Sequence, residues 1–267
     1  MKKKSIGFYL RIYVKIIAQD IKTKMSYRED FIISMIGMIL TSVAGAVSFW
    51  LVFQNFPSLA GWNFYEMMFL YGFSLLTATP AQCLFDNNWN LRIVVYNGDF
   101  IKYCFRPINL FFYYMAEVFD VKGIWQMLFG IGAVVYSWNK LGLAVSVGTI
   151  LLFLVAVLSA SLFVVALLNI AAAACFWLVQ SFFVLQISNT LRDYAKYPIT
   201  IFGPTLRNFF TFIIPIAFMA YYPSIPFLRP GEVTIITWLT PFLGVLFFYI
   251  SYKVWMKGAM SYNGTGN

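Results

Sequence analysis

The sequence predicts an all-α polytopic membrane protein, and three observations carry that prediction. Of 267 residues, 61% are hydrophobic and 11% charged, against about 45–50% and about 25% in ordinary soluble domains. The apolar residues fall into uncharged runs of about 20 or more, the length that crosses a bilayer core. The mean hydropathy of +0.76 belongs to a chain with no room for a large soluble domain. The predicted layout is an interfacial amphipathic helix over 1–30, a transmembrane domain over 31–257 and a tail over 258–267. The transmembrane domain has six spanning helices and an outer-side re-entrant hairpin before the last.

The N-terminal stretch carries Lys2, Lys3, Lys4, Arg11, Lys15, Lys22, Lys24 and Arg28 against Asp20, Glu29 and Asp30. Cations beside a first span mark the cytoplasmic side and attract anionic headgroups, so lipid is an expected partner. Leu10, Val14, Ile17 and Ile21 recur at helical spacing, with Arg11, Lys15 and Lys22 on another face, as in a helix lying in the interface. The alternative is a solvated basic arm. No short apolar core with a cleavage site follows, so the stretch does not read as a signal peptide.

The first span is 31–53, free of charge, and the second is 64–85, with Glu66 at its outer end; the loop between them carries Pro57 and Gly61-Trp62. Between 86 and 107 the pattern breaks. Asp86, Arg92, Asp99, Lys102 and Arg106 surround the turn Asn97-Gly98-Asp99, in a cytoplasmic loop too long to be a mere connection. Leu91, Val94 and Val95 predict a short amphipathic helix there. The third span is expected from about 115 to 138, with Glu117, Asp120 and Lys122 in its first turns. Those three are either interfacial structural groups or residues of coupling or substrate passage.

Residues 141–190 hold no charge and fit two antiparallel helices turning near 169–174, with Phe176-Trp177 opening the second. Then come Arg192, Asp193, Lys196, Pro198, Pro204 and Arg207, an apolar stretch over 209–222 interrupted by Pro215, and Pro223, Pro226 and Pro230. About 14 residues are short for a crossing, so 192–230 is read as a re-entrant segment from the outer side. That reading places Arg192, Lys196 and Arg207 outside. A full crossing would give seven spans and an outer C-terminus. The last span, over 233–252, ends at Lys253 and Lys257, which keeps both termini cytoplasmic.

Composition also excludes chemistry. With no histidine, histidine-based nucleophile systems, HExxH zinc sites and histidine proton relays are impossible. Cys83, Cys104 and Cys175 lack metal or disulfide spacing, and no GxxxxGK[ST] loop is present. The chain is therefore not expected to be an enzyme or to hold a cofactor or metal, and ATP with Mg would belong on a partner. The net charge of +9 is explained by topology, and no nucleic acid is expected.

Five segments in order carry a family resemblance: Gly61-Trp62; Asn97-Gly98-Asp99-Phe100 to Arg106-Pro107; Phe176-Trp177; Tyr197-Pro198; and Pro215-Ile216-Ala217-Phe218 with Tyr221 and Pro223. The chain resembles the type 2 permeases of ABC exporters, in the branch with viologen-exporter-like permeases. Phe105 stands where that family often has leucine. The resemblance implies a dimer with a second permease chain, the same or related, in the cell membrane, with each half engaging an ABC ATPase subunit. It implies a coupling loop of Asp86, Arg92, Gly98, Asp99, Lys102, Arg106 and Pro107, for which the alternative is a solvated positive-inside loop. It further implies a gate or pathway near Tyr197, Pro198, Pro215, Phe218, Tyr221 and Tyr222, for which the alternative is an interfacial aromatic belt. Cargo is expected to be hydrophobic or amphipathic, and aromatic faces suit a cationic one. An ion-coupled carrier, or a structural subunit of a larger complex, shares the composition. The carrier normally needs carboxylates at mid-membrane, whereas these acids lie at span ends.

Overall fold

The computed structural model describes residues 6–26 and 28–262. Lys2, Lys3, Lys4 and the tail beyond 262 lie outside the described residues, as do the side chains of Arg28 and Asp30. The described residues are helical throughout apart from turns. In order they form α1 (Ile6–Ser26), α2 (Arg28–Asn55), α3 (Phe64–Leu84), α4 (Asn88–Tyr96), α5 (Ile101–Cys104) and α6 (Leu110–Ala116). There follow α7 (Lys122–Lys140), α8 (Val147–Ala173), α9 (Ser181–Arg192), α10 (Pro204–Asn208), α11 (Tyr221–Leu228) and α12 (Ile235–Met260). Four stretches are long and apolar enough to cross a membrane: Phe31–Asn55, Phe64–Tyr96, Val147–Phe176 and Ile235–Met260.

The bundle is built on two tight pairs, α3 antiparallel to α7 and α8 parallel to α12. Small residues allow both, as expected where lipid tails give no hydrophobic drive and close backbone approach supplies the packing. A Cβ on Gly72 would meet the Gly130 carbonyl at 2.9 Å, and one on Gly244 would meet the Ser159 carbonyl at 2.5 Å. Along α2, in contrast, Ile33, Leu40, Val43, Trp50 and Leu51 stay exposed, while Ser42 and Phe49 turn inward.

Three boundaries differ from the sequence expectation. Residues 115–121 do not join α7, because the segment is held open by side chains. Phe119 donates its N–H to Asp20 (3.1 Å) and accepts from Lys24 (2.6 Å), so α1 satisfies a backbone that a helix would otherwise satisfy. Asp120 then takes the Lys122 N–H (3.1 Å) at the start of α7. The second boundary is the turn expected at 169–174. Helix α8 runs on to Ala173, because Asn169 is fully buried and hydrogen-bonded to Asn88 inside the bundle. Phe176-Trp177 lies in the resulting turn, and α9 opens only at Ser181.

Third, α9 is only 12 residues long. It gives way to a 3-10 turn, Asp193–Lys196, beside Ser42, Tyr71 and Val164. Arg192 and Lys196 therefore stand partway along the bundle, where the sequence reading placed them outside. On α1, Tyr9 and Tyr13 pack on Phe112, whereas Leu10 and Val14 face away from the protein.

Candidate functional site

The loop after α3 folds as a compact block of α4 and α5, and its sequence dictates that shape. Leu91 is fully buried, and Val94 and Val95 pack beneath it. Gly98 adopts φ +83°, a left-handed conformation cheap only for glycine. That turn folds α5 back, so that the Phe100 N–H reaches the Val94 carbonyl at 3.2 Å.

Phe100 itself is the hub of an aromatic cluster. Its ring lies 5.1 Å from Phe176, 5.3 Å from Tyr262, and 6.0 Å from both Tyr114 and Trp255. Segments far apart in sequence thus meet: the Asn97–Phe100 turn, Phe176 before α9, and the C-terminal turns of α12. Edge-to-face ring pairs of this kind contribute about 0.5–1.5 kcal/mol each beyond area burial.

Polar bonds tie the block to α6, to α8 and to the α8–α9 turn. Asn87 donates to the Tyr114 carbonyl (2.7 Å) and its own carbonyl accepts from the Tyr114 hydroxyl (2.9 Å), which joins α6. Asn88 donates to Asn169 at 2.7 Å, which joins α8, and both side chains are buried. Arg92 donates to the Val179 carbonyl (3.3 Å) in the α8–α9 turn. Tyr103 donates to the Glu117 carboxylate. Burial, with that carboxylate beside it, pushes the phenol well above its usual range, so it remains a donor.

The other predicted loop residues are spread around this block. Asp86 sits half-buried at the end of α3, facing a cleft it shares with Lys24, Asp120 and Lys122. Asp99 is exposed, Lys102 lies over the Tyr103 ring (4.9 Å) and Arg106 over the Tyr113 ring (5.5 Å), with Pro107 next to it. The outer surface of the block is apolar, with Ile93, Tyr96, Ile101 and Phe105 all exposed, Phe105 to 80%. Sequence reasoning missed Asn87, Tyr114 and the Asn88–Asn169 pair. The adjacent asparagines ahead of an amphipathic helix were the available signal.

At the opposite end, the predicted gate residues fall in two places. Tyr197 packs on Phe49 (5.5 Å), and Pro198 is buried beside it. Phe218 stacks on Phe163 (5.0 Å) and contacts Tyr222 (4.9 Å), while Tyr221 reaches Trp62 (6.0 Å). Pro215 starts the 3-10 turn that carries Phe218. Tyr197 and Pro198 therefore adjoin α2, whereas Phe218, Tyr221 and Tyr222 fill the core around Trp62 and α8.

Arg229, which no motif or spacing singled out, closes this end. Its guanidinium stacks on Trp62 (3.7 Å), donates to the Gly61 carbonyl (2.6 Å) and pairs with Glu66 and Glu232, each at 3.2 Å. Trp62 in turn donates to Thr200 at 2.8 Å. One arginine thus pins the exit of α11 to the α2–α3 turn and the start of α3.

No group of three or more metal-ligating residues occurs among the described residues. No curated protein and no solved structure matches the chain. Residues 36–266 match the family described as ABC-2 family transporter protein. With a bundle of long apolar helices and a rigid block at one end of it, the chain belongs to the ABC-2 transporter family and is a multi-pass membrane permease.

Proposed function

We propose that this chain is the membrane half of an ATP-driven exporter, with six spans and both termini in the cytoplasm. In this reading α2, α3, α7, α8, the broken α9 segment and α12 cross the membrane. Residues 204–228 enter from the outer side as a hairpin and return to it. Supporting the hairpin, its 216–218 turn packs against Phe163 well inside α8, while its exit at Arg229 meets Gly61 at the end of the bundle.

The observation that carries the function is the α4–α5 block. Its exposed apolar surface of Ile93, Tyr96, Ile101 and Phe105, with Asp99 and Lys102 beside it, suits a cleft on a separate ATPase. Its base is bonded to α6, α8 and the α8–α9 turn and packed on α12. A push on the block therefore moves the bundle instead of bending a loop. ATP and Mg are bound and hydrolysed on that partner. A second permease chain, the same or related, completes the pathway, and hydrophobic or amphipathic compounds are the cargo.

Gentle purification of the chain from its native membrane, followed by mass spectrometry, tests the assignment. A stoichiometric P-loop ATPase is expected. Recovery of the chain alone, or with an unrelated enzyme, would overturn the exporter reading.

A further inference from the structure

A cavity of 270 Å³ lies between α2, α3, α7 and the 3-10 turn at the end of α9. Three charged side chains reach it partway along the bundle: Arg192, Asp193 and Lys196. Tyr71, in its wall, donates its hydroxyl to the Ser42 carbonyl (2.8 Å), and behind it Phe49 packs on both Tyr71 (5.6 Å) and Tyr197 (5.5 Å).

The charges do not balance. Arg192 is committed to Asp193 at 2.8 Å. Lys196 has no carboxylate within ion-pair distance among the described residues, and its ammonium rests over the Tyr197 ring at 5.3 Å. An unpaired cation at this depth in a membrane protein is costly, and such residues mark ligand or ion pathways with an opposite partner. The hydroxyls on the walls have another task. Ser42, Ser74 and Thr77 donate to the Met38, Tyr71 and Ser74 carbonyls, so they offer lone pairs to the cavity and no proton to an acid. Among the described residues lining the cavity, Lys196 is the cation left without a carboxylate.

We propose that this cavity binds the acid group of an amphipathic anion, a carboxylate, phosphate or sulfonate on an apolar body, with Lys196 as its counter-ion. The reading of such an anion as cargo rests on the exporter assignment; its binding does not. The charge at Lys196 selects against the cationic cargo that aromatic content alone suggested.

The test uses the complex as purified, in nanodiscs of neutral phosphatidylcholine, without ATP. The probes are dansyl-undecanoic acid, its methyl ester and dansyl-undecylamine, followed by fluorescence. The acid is expected to bind about tenfold more tightly than the ester, the value of one modest charge pair, and the amine no better than the ester. Lys196→Gln should bring the acid down to the affinity of the ester, and Lys196→Arg should keep the preference. Equal binding of acid and ester, or an undiminished preference in Lys196→Gln, would overturn the proposal. Should Lys196→Gln fail to assemble, Ser74→Leu fills the same cavity, and acid binding that survives it overturns the proposal equally. Phosphatidylglycerol added to the discs separates two sources of the acid. Competition lost in Lys196→Gln assigns the site to a lipid headgroup, and absence of competition assigns it to a soluble acid. A missing ATPase in the purification sinks the exporter reading and leaves this binding result standing.

Discussion

At the scale of single residues, the buried amides matter most. Asn88 and Asn169 exchange one hydrogen bond, and the remaining Asn88 side-chain carbonyl oxygen and Asn169 amide nitrogen have no partner among the described residues. A buried polar group left unpaired costs about 1–3 kcal/mol. The pair is therefore a connector between α4 and α8 kept in spite of that cost. Asn88→Ala and Asn169→Ala should each destabilise the purified complex, and the double variant should be no worse than the poorer single one. Thermal unfolding of the four proteins measures this, and strictly additive losses would show that the two amides act independently. Asn169 was legible only as part of a turn, because sequence cannot report that a polar residue has a buried partner 81 positions away.

At the scale of elements, the α4–α5 block differs from the loop the sequence suggests. Leu91, Val94 and Val95 predicted an amphipathic helix, and α4 is that helix. The expected charged face divides in two, however: Arg92 turns back to Val179 while Asp99 stays exposed. Reversing both charges, Arg92→Glu with Asp99→Arg, should leave membrane insertion intact and uncouple transport from ATP hydrolysis. The readouts are transport and ATPase activity in proteoliposomes. Wild-type transport with full stimulation of ATP hydrolysis would remove the coupling role. Helix α7 teaches a related lesson. Its hydrophobic pattern began near 115, yet the helix starts at Lys122, because Asp20 and Lys24 of α1 satisfy the backbone at Phe119.

At the scale of the whole molecule, the 204–228 segment decides the topology. If it is a hairpin entered from the outer side, a cysteine placed by Thr205→Cys at the start of α10 labels with a membrane-impermeant maleimide on intact cells. The experiment is run on a chain whose Cys83, Cys104 and Cys175 have been replaced. Labelling only after the cytoplasmic face is opened would favour a full crossing and seven spans. The hairpin is bracketed by two fixed points, the Phe163–Phe218 stack within the bundle and the Arg229 node at its end.

The sequence by itself determined the class of the molecule, the long apolar helices and the position of the charged block, together with the absence of histidine chemistry. Those follow from composition and local periodicity, which each segment carries on its own. Only the tertiary structure decided where α7 and α9 begin, that Phe100 and Phe176 share one cluster, and that Arg229 ties the far end together. It also placed Lys196 beside a cavity partway along the bundle, where the re-entrant reading of 192–230 had put it outside. Each of these depends on a hydrogen bond or ring contact between residues distant in the chain, and no local pattern records which distant partner a side chain will find.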